Sequence, residues 1–139
     1  MSKRKTAGAA TPATAVLKRA KVAHIVHEYD HDPSNHHFGE ETVEAMGVDP
    51  RRTFKTLVAE LTGGPEPTVC AVVPVSGQLD LKALAQAAGA KKAVMADPAD
   101  AERITGYVVG GISPLGQKRQ LPVYIDSSAL EFETMLVSG

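Results

Sequence analysis

Two apolar, β-branched runs on either side of a glycine-proline turn set the tightest limit on what this chain can fold into. Thr53-Phe54-Lys55-Thr56-Leu57-Val58-Ala59 and Thr68-Val69-Cys70-Ala71-Val72-Val73-Pro74 read as two strands joined through Gly63-Gly64-Pro65. Branched and aromatic side chains suit a pleated surface, and the glycine-proline cluster marks the turn. With 139 residues, the chain has room for one domain and a single core around them.

The other segments supply layers for that core. Thr11-Pro12 is a helix start, with Val16, Leu17 and Ala20 on one face of a helix running to about Lys21. Val22 to Tyr29 is β-branched and predicts a strand, and a polar loop, Asp30 to His37, follows it. A short helix with Val43 and Met46 inward ends at Gly47. Asp80 opens the clearest helix, in which Leu81, Leu84, Ala85 and Ala88 recur at helical spacing before Gly89 stops it. Lys92 to Ala96 predicts a short strand, and Asp97-Pro98 starts a helix ending near Gly106. Tyr107-Val108-Val109, Leu121 to Ile125 and Thr134 to Val137 complete the strands, with Gly110 to Gly116 as a loop. Hairpins alongside crossovers favour an α+β or mixed-sheet domain over residues 11–139, preceded by a basic tail at 1–10.

Charge excludes some functions. Fifteen basic against sixteen acidic residues give a net charge of -1, which is not that of a polybasic nucleic-acid binder. The bases are uneven, however: the first 21 residues hold Lys3, Arg4, Lys5, Lys18, Arg19 and Lys21 and no acid. No apolar run approaches the ~20 residues of a membrane span, and the basic N-terminus leads into no hydrophobic segment. The expectation is a soluble cytoplasmic protein.

Four groups of residues are candidates for chemistry. The histidines all fall between His24 and His37, but on a strand His24 and His27 point to opposite faces, so no metal site is expected. Cys70 is the single cysteine and sits in an apolar strand with no basic neighbour to activate it, which makes it a core residue. Lys55 interrupts an apolar strand; it either snorkels at a sheet edge or faces a polar cleft, where its charge suits phosphate, carboxylate or a developing oxyanion. Gly110-Gly111-Ile112-Ser113-Pro114-Leu115-Gly116 either brings bare N–H groups close to a ligand or simply turns the chain; it is neither a Walker loop nor a nucleophile elbow.

Taken in order, the motifs His27-x-Tyr29-x-His31-Asp32-Pro33, Phe38-Gly39, Phe54-Lys55-Thr56-Leu57, Pro74-Val75-x-Gly77-Gln78-Leu79-Asp80, Met95-Ala96-Asp97-Pro98, Thr105 through Gly116 and Val137-Ser138-Gly139 resemble the YbaK/EbsC family of aminoacyl-tRNA deacylases. That family is related to the editing domain of prolyl-tRNA synthetases, and the resemblance covers all but the tail. It implies a curved, partly barrel-like mixed β-sheet flanked by helices. It also implies trans-editing of mischarged tRNA(Pro), closest to the branch that clears cysteine, with the substrate's own thiol attacking its ester and no cofactor. By the same resemblance Lys55 and Gly110 are the catalytic pair, and Tyr29, Phe38, Thr56, Gly111, Ser113 and Pro114 contact substrate. The implied partners are mischarged tRNA(Pro) and prolyl-tRNA synthetase, not DNA or a membrane. Rival readings are editing of Ala- or Ser-tRNA(Pro), or a non-catalytic module binding a nucleotide or the synthetase. Family members usually continue past Val137-Ser138-Gly139 into a basic turn and a final helix, so this C-terminal piece is expected to be missing or trimmed.

Overall fold

The computed structural model describes residues 11–28, 42–44 and 46–139. Strands β1 (Phe54–Thr62) and β2 (Thr68–Pro74) form the expected antiparallel hairpin, with Phe54 opposite Pro74 and Glu60 opposite Thr68. β3 (Lys92–Met95) pairs antiparallel with the far end of β1. β4 (Val123–Ile125) runs parallel to β2, which requires the long crossover between them. The result is an open four-stranded mixed sheet in the order β3-β1-β2-β4, flanked by α1 (Pro12–Arg19), α2 (Leu81–Ala87) and α3 (Pro98–Thr105). Among the described residues the sheet is not closed into a barrel.

Alternation along the strands divides the core in two. Ala59, Leu61, Val69 and Ala71 face Leu84, Ala85 and Ala88 around α2, together with Ala93 of β3. Val58 and Cys70 point the other way and pack with Ala101 of α3, Ile112 and Leu121. Coverage on both faces explains why Val69 to Val73 are all buried, a continuous apolar run rather than an alternating one. The helices start where their caps fall. The Asp80 carboxylate accepts the Ala83 N–H at 3.0 Å, that of Asp97 accepts Ala99 N–H at 2.9 Å, and Thr11 and Thr14 cap each other. Each such cap is worth ~1 kcal/mol.

Three expected strands differ. Residues 22–28 have no ladder, and Ile25 is 76% exposed, because β-branched content without a neighbouring strand gives nothing to pair with. Residues 107–109 are drawn into a turn instead. The C-terminal run contributes only a parallel bridge between Leu136 and Thr53, with Phe54 N–H donating to the Leu136 carbonyl at 2.9 Å and Leu136 N–H to that of Arg52 at 3.0 Å. No helix among the described residues is long and apolar enough to cross a membrane.

The N-terminus of α1 docks on the loop at Gly116, whose φ is +65°. A Cβ there would lie 2.5 Å from the Pro12 carbonyl oxygen, which belongs to rigid backbone. Gly116→Ala therefore combines left-handed strain with overpacking and is expected to cost about 2–4 kcal/mol in a denaturant titration. Wild-type stability in that variant would refute the docking of α1 on this loop.

Candidate functional site

The glycine loop begins as a tight turn. Gly111 N–H donates to the Val108 carbonyl at 2.8 Å, and Gly110 sits at the third turn position with φ +95°. Lys21 is the one described non-glycine residue with positive φ, so Val109 is in the ordinary region and the turn is type II. That turn requires glycine at position 110. Gly110 is exposed, and its N–H has no hydrogen-bond partner among the described residues. The Glu102 carboxylate accepts the Val109 N–H at 2.9 Å and ties the turn to α3. An exposed amide on an anchored turn can donate to a developing oxyanion. Gly111 is exposed beside it.

Beyond the turn the chain enters the core. Ile112, Ser113 and Pro114 are buried, and the Ser113 hydroxyl accepts the Leu115 N–H at 3.1 Å. Ser113 and Pro114 thus lie beneath the turn rather than on its surface. Gln117 fixes this arrangement. Its Nε2 donates to Cys70 Sγ and to the Ser113 carbonyl, both at 3.0 Å, and its Oε1 accepts the Leu121 N–H at 3.0 Å. One buried amide therefore connects β2, the glycine loop and the approach to β4. The Tyr107 hydroxyl adds a tie to the Leu115 carbonyl at 2.8 Å, and burial raises its pKa. Burial likewise raises the Cys70 thiol pKa, with the Gln117 hydrogen bond a smaller opposing effect. A fully buried thiol kept protonated is not a nucleophile.

Lys55 and Thr56 sit on opposite faces of β1. Lys55 is half-buried, paired opposite Val73, on the face of Leu57, Ala59 and Leu61. It has no ion-pair partner among the described residues. Thr56 lies on the face of Val58, the side where Ile112 packs. The pleat thus places Thr56, Ser113 and Pro114 on one side of the sheet and Lys55 on the other. Thr56 is unusual in a second respect. Its Oγ1 is buried and unpartnered among the described residues. Phe54 N–H and the Val58 carbonyl bond along the outer edge of β1, to Leu136 and Ala96. Thr56 directs its backbone polar groups to that edge between them, where no described residue meets them. Orphaned buried polar groups cost ~1–3 kcal/mol each, so a polar group placed here would recover that cost.

Tyr29 and Phe38 lie outside the described residues, as do His31, His36 and His37. His24 and His27 are exposed. A cavity of about 550 Å³ lined by Val43, Glu44, Pro50, Val75 and Ser76 opens beside the end of the hairpin where Phe54 and Pro74 pair. Sequence reasoning missed Gln117 and Glu102. Their partners are 47 and 7 residues away, and no periodic pattern signals such bonds.

A mixed sheet carrying a glycine turn with a bare amide, and a cysteine sealed in the core, is what a domain that grips an ester would need. The chain belongs to the aminoacyl-tRNA editing domain family, which it matches over residues 33–139. It is 40% identical over 140 residues to an Enterococcus faecalis protein described as "Putative Cys-tRNA(Pro)/Cys-tRNA(Cys) deacylase EbsC", covering 100% of this chain and 82% of that one. Solved structures share the fold. One, described as "a putative trans-editing enzyme for prolyl tRNA synthetase", has a TM-score of 0.68 and 23% identity, covering 87% of this chain and 73% of its own. Another, a scaffold protein from computational epitope backbone grafting, has a TM-score of 0.74 and 22% identity, covering 92% and 77%.

Gln117→Leu keeps the volume but leaves the Leu121 N–H without its acceptor. We expect a loss of about 1–3 kcal/mol by thermal or denaturant unfolding, and faster alkylation of Cys70 as the loop loosens. An unchanged alkylation rate would show that Gln117 does not seal the thiol.

Proposed function

We propose that this chain is a trans-editing deacylase that cleaves the ester linking cysteine to mischarged proline tRNA. The observation that carries the reading is identity of 40% across the whole chain to a protein whose description names that substrate. The geometry is consistent with it. Gly110 offers the amide that stabilises the oxyanion, and Thr56, with its backbone polar groups at the edge of β1 and its unpartnered hydroxyl on the face below, lines the place where the ester rests. Gly111 flanks the amide, Ser113 and Pro114 support the turn from below, and Tyr29 and Phe38 are assigned to the substrate by the family resemblance alone. Lys55, on the other face, holds the phosphate of the terminal nucleotide, so the substrate crosses the open edge of β1 between Lys55 and the glycine turn.

The substrate supplies the nucleophile. Its cysteine thiolate attacks its own carbonyl carbon, the C–O bond to the terminal ribose breaks, and the ribose oxygen takes up a proton. A cyclic thioester and free tRNA leave. Orientation of groups already in one molecule supplies ~7–11 kcal/mol of barrier reduction, so the protein needs only to hold the reactive geometry and stabilise the oxyanion. Prolyl-tRNA synthetase is the partner that would deliver the tRNA, since a chain of net charge -1 has little general affinity for RNA.

The decisive experiment offers purified protein Cys-, Ala- and Ser-tRNA(Pro), with and without prolyl-tRNA synthetase. We expect Cys-tRNA(Pro) to turn over fastest. Lys55→Ala should lower kcat/KM ~10- to 150-fold, the equivalent of one charged hydrogen bond, while Cys70→Ala should retain activity at a cost of about 1 kcal/mol in stability. Preference for Ala- or Ser-tRNA(Pro) would reassign the substrate. Absence of deacylation with every tRNA would leave a binding module, and loss of activity in a folded Cys70→Ala protein would overturn the substrate-thiol mechanism.

A further inference from the structure

We infer that a basic groove between α2 and β3 seats the phosphodiester backbone of the RNA substrate, upstream of the ester. This rests on the deacylase reading for the identity of the RNA. The groove, about 350 Å³, has Lys82, Lys91 and Lys92 in its wall and the apolar side chains of Leu81, Ala85 and Ala90 beside them. The two ion pairs described elsewhere are Arg51–Asp49 and Arg103–Asp100, and no carboxylate pairs with any of the three lysines among the described residues. Glu60 lies opposite Val94, on the other face of the sheet from Leu61 and Ala93; Lys92, opposite Thr62, leaves the strand on that same face, whereas Lys82 and Lys91 line the groove from α2 and from just before β3, and Asp80 is engaged in capping α2. In a chain with net charge -1, three lysines around one groove, none ion-paired among the described residues, are a local departure from the composition.

Lys91 is also held in place. Lys91 N–H donates to the Thr62 carbonyl at 2.8 Å, and Lys92 pairs opposite Thr62. The Lys91 stem lies across the hairpin turn so closely that a Cβ on Gly63 would sit 2.7 Å from its Cγ. Packing the stem leaves the charged head in water with less freedom to lose on binding. Lysine is a compact point charge suited to a phosphate, with no geometry that would read bases, so the groove would bind RNA by its backbone.

Its position relative to Lys55 completes the argument. Ala93 lines the groove and pairs with Leu61, which shares its face of β1 with Lys55, six residues earlier. At ~3.3 Å per residue the two are about 20 Å apart along one face of one strand. A few nucleotides of single-stranded 3′ end cover that distance. Duplex phosphates would lie on the lysine groove while the terminal nucleotide reaches Lys55.

The test measures binding of uncharged tRNA(Pro) between 50 and 200 mM salt. It compares wild type with the variant carrying Lys82→Gln, Lys91→Gln and Lys92→Gln, and with one carrying Lys→Arg at the same positions. Each phosphate contact contributes ~0.9 to the slope of log affinity against log salt, so the glutamine variant should bind ~10-fold or more weakly with a slope shallower by about 2–3, and the arginine variant should resemble wild type. Its kcat/KM on whole Cys-tRNA(Pro) should also fall relative to that on a short cysteinyl 3′ fragment. An unchanged salt slope would overturn the groove, as would loss of the slope on neutralising Lys18, Arg19 and Lys21 instead. If wild type cleaves neither substrate, the deacylase reading fails, and the salt titration still decides the groove.

Discussion

The two-sided burial of the β1–β2 hairpin is the constraint on which the rest of this protein depends. A lone hairpin is marginal in water, and its apolar residues project from both faces, so each face needs a cover. α2 covers one through Leu84, Ala85 and Ala88. The other is covered by α3 through Ala101 and by the glycine loop through Ile112. The loop is thus a structural layer, and that is what holds Gly110 in one place although the turn itself is exposed.

A neutral amide fixes that layer. Gln117 has a donor and an acceptor on one planar group, and both are used: Nε2 by Cys70 Sγ and the Ser113 carbonyl, Oε1 by the Leu121 N–H. A buried lysine or glutamate at this position would carry a desolvation penalty without an opposite charge to offset it. The amide satisfies both kinds of backbone group at modest cost. Glu102, at the exposed turn, can be charged because it stays in water while it holds the Val109 N–H. The distribution of charge in the loop follows its burial.

Much of this was legible in the sequence where local chemistry decides. The hairpin, both aspartate-capped helices and β3 fall close to where β-branched runs, Asp-Pro and helical spacing put them. The Cys70 reading holds for the same reason, since an apolar strand without a basic neighbour buries its thiol. Strand propensity misled at Val22 to Glu28 and at Tyr107 to Val109, because a strand exists only if a neighbour offers a ladder. At 107–109 the Gly110 turn and Glu102 claim the backbone first. Of the candidate site, the residue types were visible but not their sides of the sheet: consecutive Lys55 and Thr56 belong to opposite faces, a consequence of pleating that no motif records.

That separation bears on how the proposed chemistry is divided. Three hydroxyl and thiol groups around the glycine loop are occupied: Cys70 is sealed and protonated, the Ser113 hydroxyl accepts Leu115 N–H, and the Tyr107 hydroxyl donates to the Leu115 carbonyl. What remains available is a cation on one face, a bare amide on an anchored turn, and an open strand edge between them. These groups can grip and polarise an ester, but they cannot attack it. A cysteinyl ester, which carries its own sulfur close to the carbonyl, is the substrate for which gripping is enough. An alanyl ester in the same site would need an activated water to attack it instead. On the proposed reading, cysteine is favoured because it brings its own nucleophile to a site that holds and polarises the ester.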